Sequence, residues 1–144
     1  MDSSEHFRLE DLVDGLHEKG LKIGLILDLN RSTSYYNFEK IQKSYEQLAS
    51  TTYKKFKLEN GAVPSEEAIK EICELFRQAY ERDEVIIVHC YNGINRTGYL
   101  ICEFLCSFLG MNAETAISKF ETARKYKIEH ECMVNQLRIK YPVV

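Results

Sequence analysis

The stretch His89-Cys90-Tyr91-Asn92-Gly93-Ile94-Asn95-Arg96-Thr97-Gly98 places a thiol, a glycine and a guanidinium at a spacing suited to phosphoryl transfer. An apolar run, Val85 to Val88, leads into His89-Cys90 and reads as a buried strand. After Arg96, residues Leu100, Ile101, Phe104, Leu105 and Phe108 recur at helical spacing. The cysteine therefore ends a strand, and the arginine opens a helix. Backbone N–H groups of Tyr91, Asn92, Gly93, Ile94, Asn95 and Arg96 can wrap one phosphate at the positive end of the helix dipole. The same field lowers a thiol pKa and makes Cys90 a thiolate nucleophile. Arg96 offers a planar fork to the equatorial oxygens, where charge spreads in the transition state. Gly93 permits the tight turn, Thr97 can hydrogen-bond the Cys90 sulfur, and His89 is expected to orient the loop rather than act as a base. Cysteine followed by arginine at this distance also occurs by chance. The surrounding His, Gly and Arg-Thr-Gly in a strand-to-helix setting argue against chance here.

The remaining chain alternates strands and helices, which implies an α/β domain with a central, mainly parallel sheet flanked by helices. Leu9, Leu12, Val13 and Leu16 form a helical stripe that Gly20 can end. Gly24 to Leu29 reads as a buried strand, and Tyr53 to Leu58 as a half-exposed one. Ser65 is placed to cap a helix carrying Ile69, Ile72, Cys73, Phe76 and Ala79. Asn112 can cap another, with Ala116, Phe120 and Ala123. A last helix is expected from about Glu129 to Ile139, packing Met133 and Leu137 inward.

At 144 residues, the expectation is one domain spanning 1–144. No apolar run reaches membrane-spanning length and the start lacks the pattern of a signal peptide, so an intracellular protein, nuclear or cytoplasmic, is expected. Five cysteines show neither zinc spacing nor a secreted disulfide framework, so no metal or other cofactor is expected. Cys102 and Cys106 read as small core residues. A net charge of −3 argues against indiscriminate nucleic-acid binding. Basic residues nevertheless cluster at Lys54, Lys55 and Lys57 and at Arg124, Lys125 and Lys127. Such runs are commonly solvated faces. If they flank Cys90, then Lys54, Lys55, Arg124 and Lys127 are candidates for further phosphates of an extended anionic substrate.

The Cys-x5-Arg core resembles that of the cysteine-dependent phosphatases, and the chain is similar to their dual-specificity branch within the protein-tyrosine-phosphatase-like fold. Within that branch it most resembles the RNA 5′-phosphatase group, which includes the triphosphatase domain of metazoan mRNA capping enzymes. Matching residues are Asn95 to Cys102, Gly24 to Leu29 followed by Tyr35-Tyr36, Val63-Pro64, Ala123-Arg124 and Lys127-Ile128-Glu129. The resemblance runs from about Leu21 to Leu137. It departs at Tyr91-Asn92, where the group has Thr-His, and at His130, where it has a more basic residue. Glu131-Cys132 is also unlike the group's usual polar pair, and the N-terminal part is short relative to the family.

Protein phosphatases of the superfamily use an aspartic acid ahead of the cysteine to protonate the leaving oxygen, yet no aspartate lies between Asp28 and Asp83. A tyrosine leaving group, with a pKa of about 10, gains much from an acid; a diphosphate gains little. Glu59, Glu66 or Glu67 are the possible substitutes. The resemblance thus implies a metal-independent phosphohydrolase acting on RNA 5′-triphosphate or diphosphate ends, with mRNA processing as its setting and a monomer expected. The alternatives are a dual-specificity phosphatase of phosphoproteins and a weakly active module that binds phosphorylated ends.

Overall fold

The computed structural model describes residues 9–29, 38–56, 63–89, 95–125 and 127–143. Three parallel strands, β1 (Ile23–Asp28), β2 (Thr52–Lys55) and β3 (Val85–His89), form a sheet in the order β2-β1-β3. The mainly parallel sheet expected from the alternation of strands and helices is thus parallel throughout its described strands.

Central strand β1 is buried along its whole length, which explains its unbroken apolar run. Its residues Leu25 and Leu27, with Leu29 just beyond, join a core built with Ile69, Ile72 and Phe76 of α3 (Glu66–Glu81). Tyr99 and Leu100 of α4 (Asn95–Ser107), Phe120 of α5 (Ala113–Arg124), and Met133 and Leu137 of α6 (Glu131–Lys140) complete it. Ile26 and Ile87 belong to a second core with Val13 of α1 (Leu9–Glu18), Phe38 and Ile41 of α2 (Phe38–Ser44), and Leu48 of a short 3-10 turn. Helices therefore cover both faces of the sheet.

The predicted caps are present. Ser65 Oγ accepts from the Ala68 N–H at 3.2 Å, and Asn112 Oδ1 from that of Thr115 at 2.9 Å. Gly20 ends α1 with φ +73°, a conformation that favours glycine.

Several expectations need correction. Helix α2 and the turn after it were not anticipated, because so short a segment with only Phe38 and Ile41 buried carries no readable stripe. Ala123 is exposed, and Ala113 and Ile117 are buried in its place. Phe108 lies past the end of α4 and is half-exposed, stacked on Phe104. The last helix starts at Glu131, since the Ile128 N–H is engaged by Glu121 Oε2 at 3.0 Å and His130 takes the cap position. Strand β2 ends at Lys55; Lys57 and Leu58 lie outside the described residues, as do Tyr35 and Tyr36.

Candidate active site

In parallel α/β sheets, ligands gather beyond the carboxyl ends of the strands. Here that edge is defined by one row: Asp28 pairs in register with Lys55 on one side and with His89 on the other. His89 is the last residue of β3, so the strand ends at this edge. The loop residues Cys90, Tyr91, Asn92, Gly93 and Ile94 lie outside the described residues; the elements on either side fix where the loop starts and ends.

The loop ends on α4, whose first residue is Asn95. No acidic residue sits in its first turn, so nothing there offsets the positive end of the helix dipole. Arg96 and Thr97 follow, both buried. Arg96 Nη1 donates to the Leu29 carbonyl oxygen at 3.0 Å, which ties the guanidinium to the end of β1. Strand ends and helix start thus converge on one point, as the sequence implied.

Gly98 explains how the helix packs. A Cβ there would meet Phe120 at 2.7 Å and Ile128 at 3.0 Å, so the first turn of α4 lies directly against α5 and the segment behind it. That segment carries two of the predicted rim cations. Arg124 is the last residue of α5, Lys127 precedes Ile128, and both are exposed. Between them Lys125 takes a left-handed conformation, φ +64°, that caps the end of α5.

The two lysines of β2 divide. Successive side chains of a strand point to opposite faces, so only Lys55 shares the face of Asp28. Lys55 Nζ lies 3.3 Å from Asp28 Oδ2, and the Tyr53 hydroxyl donates to the same oxygen at 2.7 Å. Lys54, exposed on the other face, is not brought to this row. Sequence reasoning missed Asp28 and Tyr53. The available signal was an acidic residue closing an otherwise apolar strand.

The substitute acids also separate. Glu66 pairs with Lys140 at 3.0 Å, Lys140 in turn reaching buried Glu103 at 2.7 Å. Glu67 is an exposed first-turn residue of α3, and Glu59 is outside the described residues. Three other thiols, Cys73, Cys102 and Cys106, are unsuited to chemistry at neutral pH. Burial pushes Cys73 and Cys106 up to about 11 and Cys102 up to about 12, with Glu103 adding to the first two and Cys106 to the third. No cluster of His, Cys, Asp and Glu able to hold a metal occurs among the described residues.

A buried arginine in the first turn of a helix, beside the end of a strand in a parallel sheet and following a Cys-x5-Arg sequence, fits a cysteine-based phosphatase domain. Residues 13–141 match the family model for the dual specificity phosphatase catalytic domain, and the chain belongs to that family. It is 34% identical over 119 residues to a tyrosine-protein phosphatase of Autographa californica nuclear polyhedrosis virus, covering 81% of this chain and 68% of the relative. It is 31% identical over 138 residues to the RNA/RNP complex-1-interacting phosphatase of Bos taurus, covering 93% of this chain but only 40% of that relative. The crystal structure of human DUSP28 superposes with a TM-score of 0.71 at 15% identity, over 93% of this chain and 83% of the other, a likeness of fold alone. No helix among the described residues is long and apolar enough to cross a membrane.

Proposed function

We propose that this phosphatase removes phosphate from RNA 5′-triphosphate or diphosphate ends without a metal ion. The Cys90 thiolate attacks the terminal phosphorus and expels the rest of the chain as a diphosphate or monophosphate end. Water then hydrolyses the cysteinyl phosphate and releases orthophosphate. Amides from Tyr91 to Arg96 and the Arg96 guanidinium hold the transferred group, Thr97 steadies the leaving sulfur, and His89 orients the loop.

The observation that carries the RNA reading is the approach of Ile128 to Gly98. Arg124 and Lys127 are exposed near that approach, beside the first turn of α4, which supports their contacting further phosphates of a substrate. The pairing of Glu66 with Lys140 also supports a leaving group that needs no acid. One relative's name refers to an RNA/RNP complex, which agrees with this reading.

A second reading, a phosphatase of phosphotyrosine proteins, is favoured by the name of the viral relative. Phosphate release from triphosphate-ended RNA and from a phosphotyrosine peptide, in EDTA and against Cys90→Ser, separates the two. The RNA reading expects much faster Cys90-dependent release from RNA. Preference for the peptide would replace it with the second reading.

A further inference from the structure

Asp28 is fully buried, and a carboxylate in such a place is costly unless it is paired and hydrogen-bonded. Among the described residues, the Tyr53 hydroxyl and the Lys55 ammonium, both from β2, meet at one of its oxygens, Oδ2. The Tyr53 ring is itself held, stacked on Phe38 with ring centroids 4.9 Å apart. The Phe56 N–H donates to the Asp28 carbonyl oxygen at 2.9 Å, locking the end of β2 against β1. The next carbonyl, that of Leu29, accepts from Arg96. Two successive residues, Asp28 at the end of β1 and Leu29 just beyond it, therefore hold a lysine that remains 23% exposed and Arg96.

A negative charge beside a phosphate site would repel substrate if it stood alone. Paired with Lys55 it does something else: it restrains a long, flexible side chain. Ordering a lysine on its own costs it most of its rotamer freedom. A cation ordered beforehand spares the substrate that cost.

We infer that Asp28 is a positioning residue, holding the Lys55 ammonium at the carboxyl edge of the sheet, in the row that ends β3 at His89, as the contact for the phosphate next to the one transferred. The inference rests on the proposed action on polyphosphate ends, but it assigns that subsite to Lys55 rather than Lys54 and gives Asp28 a role.

The test measures binding of inorganic tripolyphosphate and of orthophosphate by calorimetry, in a Cys90→Ser background that needs no turnover. Lys55→Met is expected to weaken tripolyphosphate about tenfold more than orthophosphate, the order of one charge-assisted hydrogen bond. Asp28→Asn should shift the same ratio in the same direction, and the double variant should be no worse than Lys55→Met alone. Lys55→Arg should recover part of the ratio. Asp28→Ser is measured alongside, so that failure of one replacement to fold leaves the other to decide.

Equal weakening of both anions would reduce Asp28 to a structural role and overturn the inference. So would additive losses in the double variant, or an unchanged ratio in Lys55→Met. Discrimination that depends on Lys55 and Asp28, without RNA turnover by the wild-type protein, would sustain the inference and remove the RNA reading alone.

Discussion

Arg96 and Leu29 are joined across the site, Arg96 Nη1 donating to the Leu29 carbonyl oxygen at 3.0 Å with both residues buried. The contact ties the guanidinium to the chain just beyond the end of β1. Lysine in its place keeps the charge and loses the fork. Arg96→Lys is expected to lower kcat on an aryl phosphate by about 100-fold or more, in the range measured for losing one preorganised donor. Circular dichroism should show the fold intact. Activity within a few-fold of wild type would remove Arg96 from the chemistry.

Replacing Gly98 tests the packing that places the rim. A methyl group there collides with the Phe120 ring and with Ile128, and neither can leave a packed core cheaply. Gly98→Ala should cost about 1–3 kcal/mol in urea unfolding, the usual penalty for overpacking. Displacing the Ile128 segment should also reduce turnover of RNA ends more than turnover of an aryl phosphate.

Salt dependence reports the rim cations directly. Each single-strand phosphate contact contributes about 0.7 to the slope of log affinity against log salt. Arg124→Ala and Lys127→Ala should each flatten the slope of kcat/KM for RNA ends by roughly that amount, while Lys54→Ala changes it little. Equal slopes for all three variants would show that Arg124 and Lys127 are only solvated surface.

Glu103 anchors the far end of α4. Its carboxylate is 1% exposed and accepts from Lys140 and from the Tyr99 and Tyr141 hydroxyls, both at 3.3 Å. Lys140→Met leaves that charge buried and should cost about 3 kcal/mol, near the lower end for a broken buried pair because the two tyrosines still donate. Exposed Glu66 is different: Glu66→Gln should cost under about 1 kcal/mol. Thermal melts of the two variants check the contrast.

Alkaline stability follows from the buried thiols. Each has its folded pKa raised above an ordinary 9.0, to about 11 for Cys73 and Cys106 and about 12 for Cys102. Their contribution is complete below pH 9 and is lost as pH rises toward 11 to 12, since the unfolded chain releases the protons first. Unfolding free energy should fall through that window, and Cys102→Ala should lessen the fall. At pH 7, alkylation should spare these three cysteines in the folded protein and reach them once it is unfolded.

Much of the site was legible without coordinates because its parts are local. An apolar run followed by a glycine-containing loop and a helical stripe specifies strand, turn and helix within some twenty residues, and the chemistry of a thiol and a guanidinium at that spacing does the rest. Caps at Ser65 and Asn112 were legible for the same reason: donor and acceptor are three residues apart. Helix α2 was not, because its turns owe their stability to packing against the sheet rather than to their own pattern.

The sequence by itself therefore determined the strand-to-helix frame around Cys90 and Arg96, the parallel α/β architecture and the membership of a phosphatase family. Only the tertiary structure decided that Lys55, not Lys54, pairs with Asp28, that Arg96 meets the Leu29 carbonyl, and that Glu66 is held by Lys140. Those pairings join residues 27 apart for Asp28 and Lys55, 67 apart for Leu29 and Arg96, and 74 apart for Glu66 and Lys140. Periodicity and propensity act over a turn or a strand. Which distant residues meet is set by sheet register and by the packing of helices on its two faces, and neither is written in any single segment.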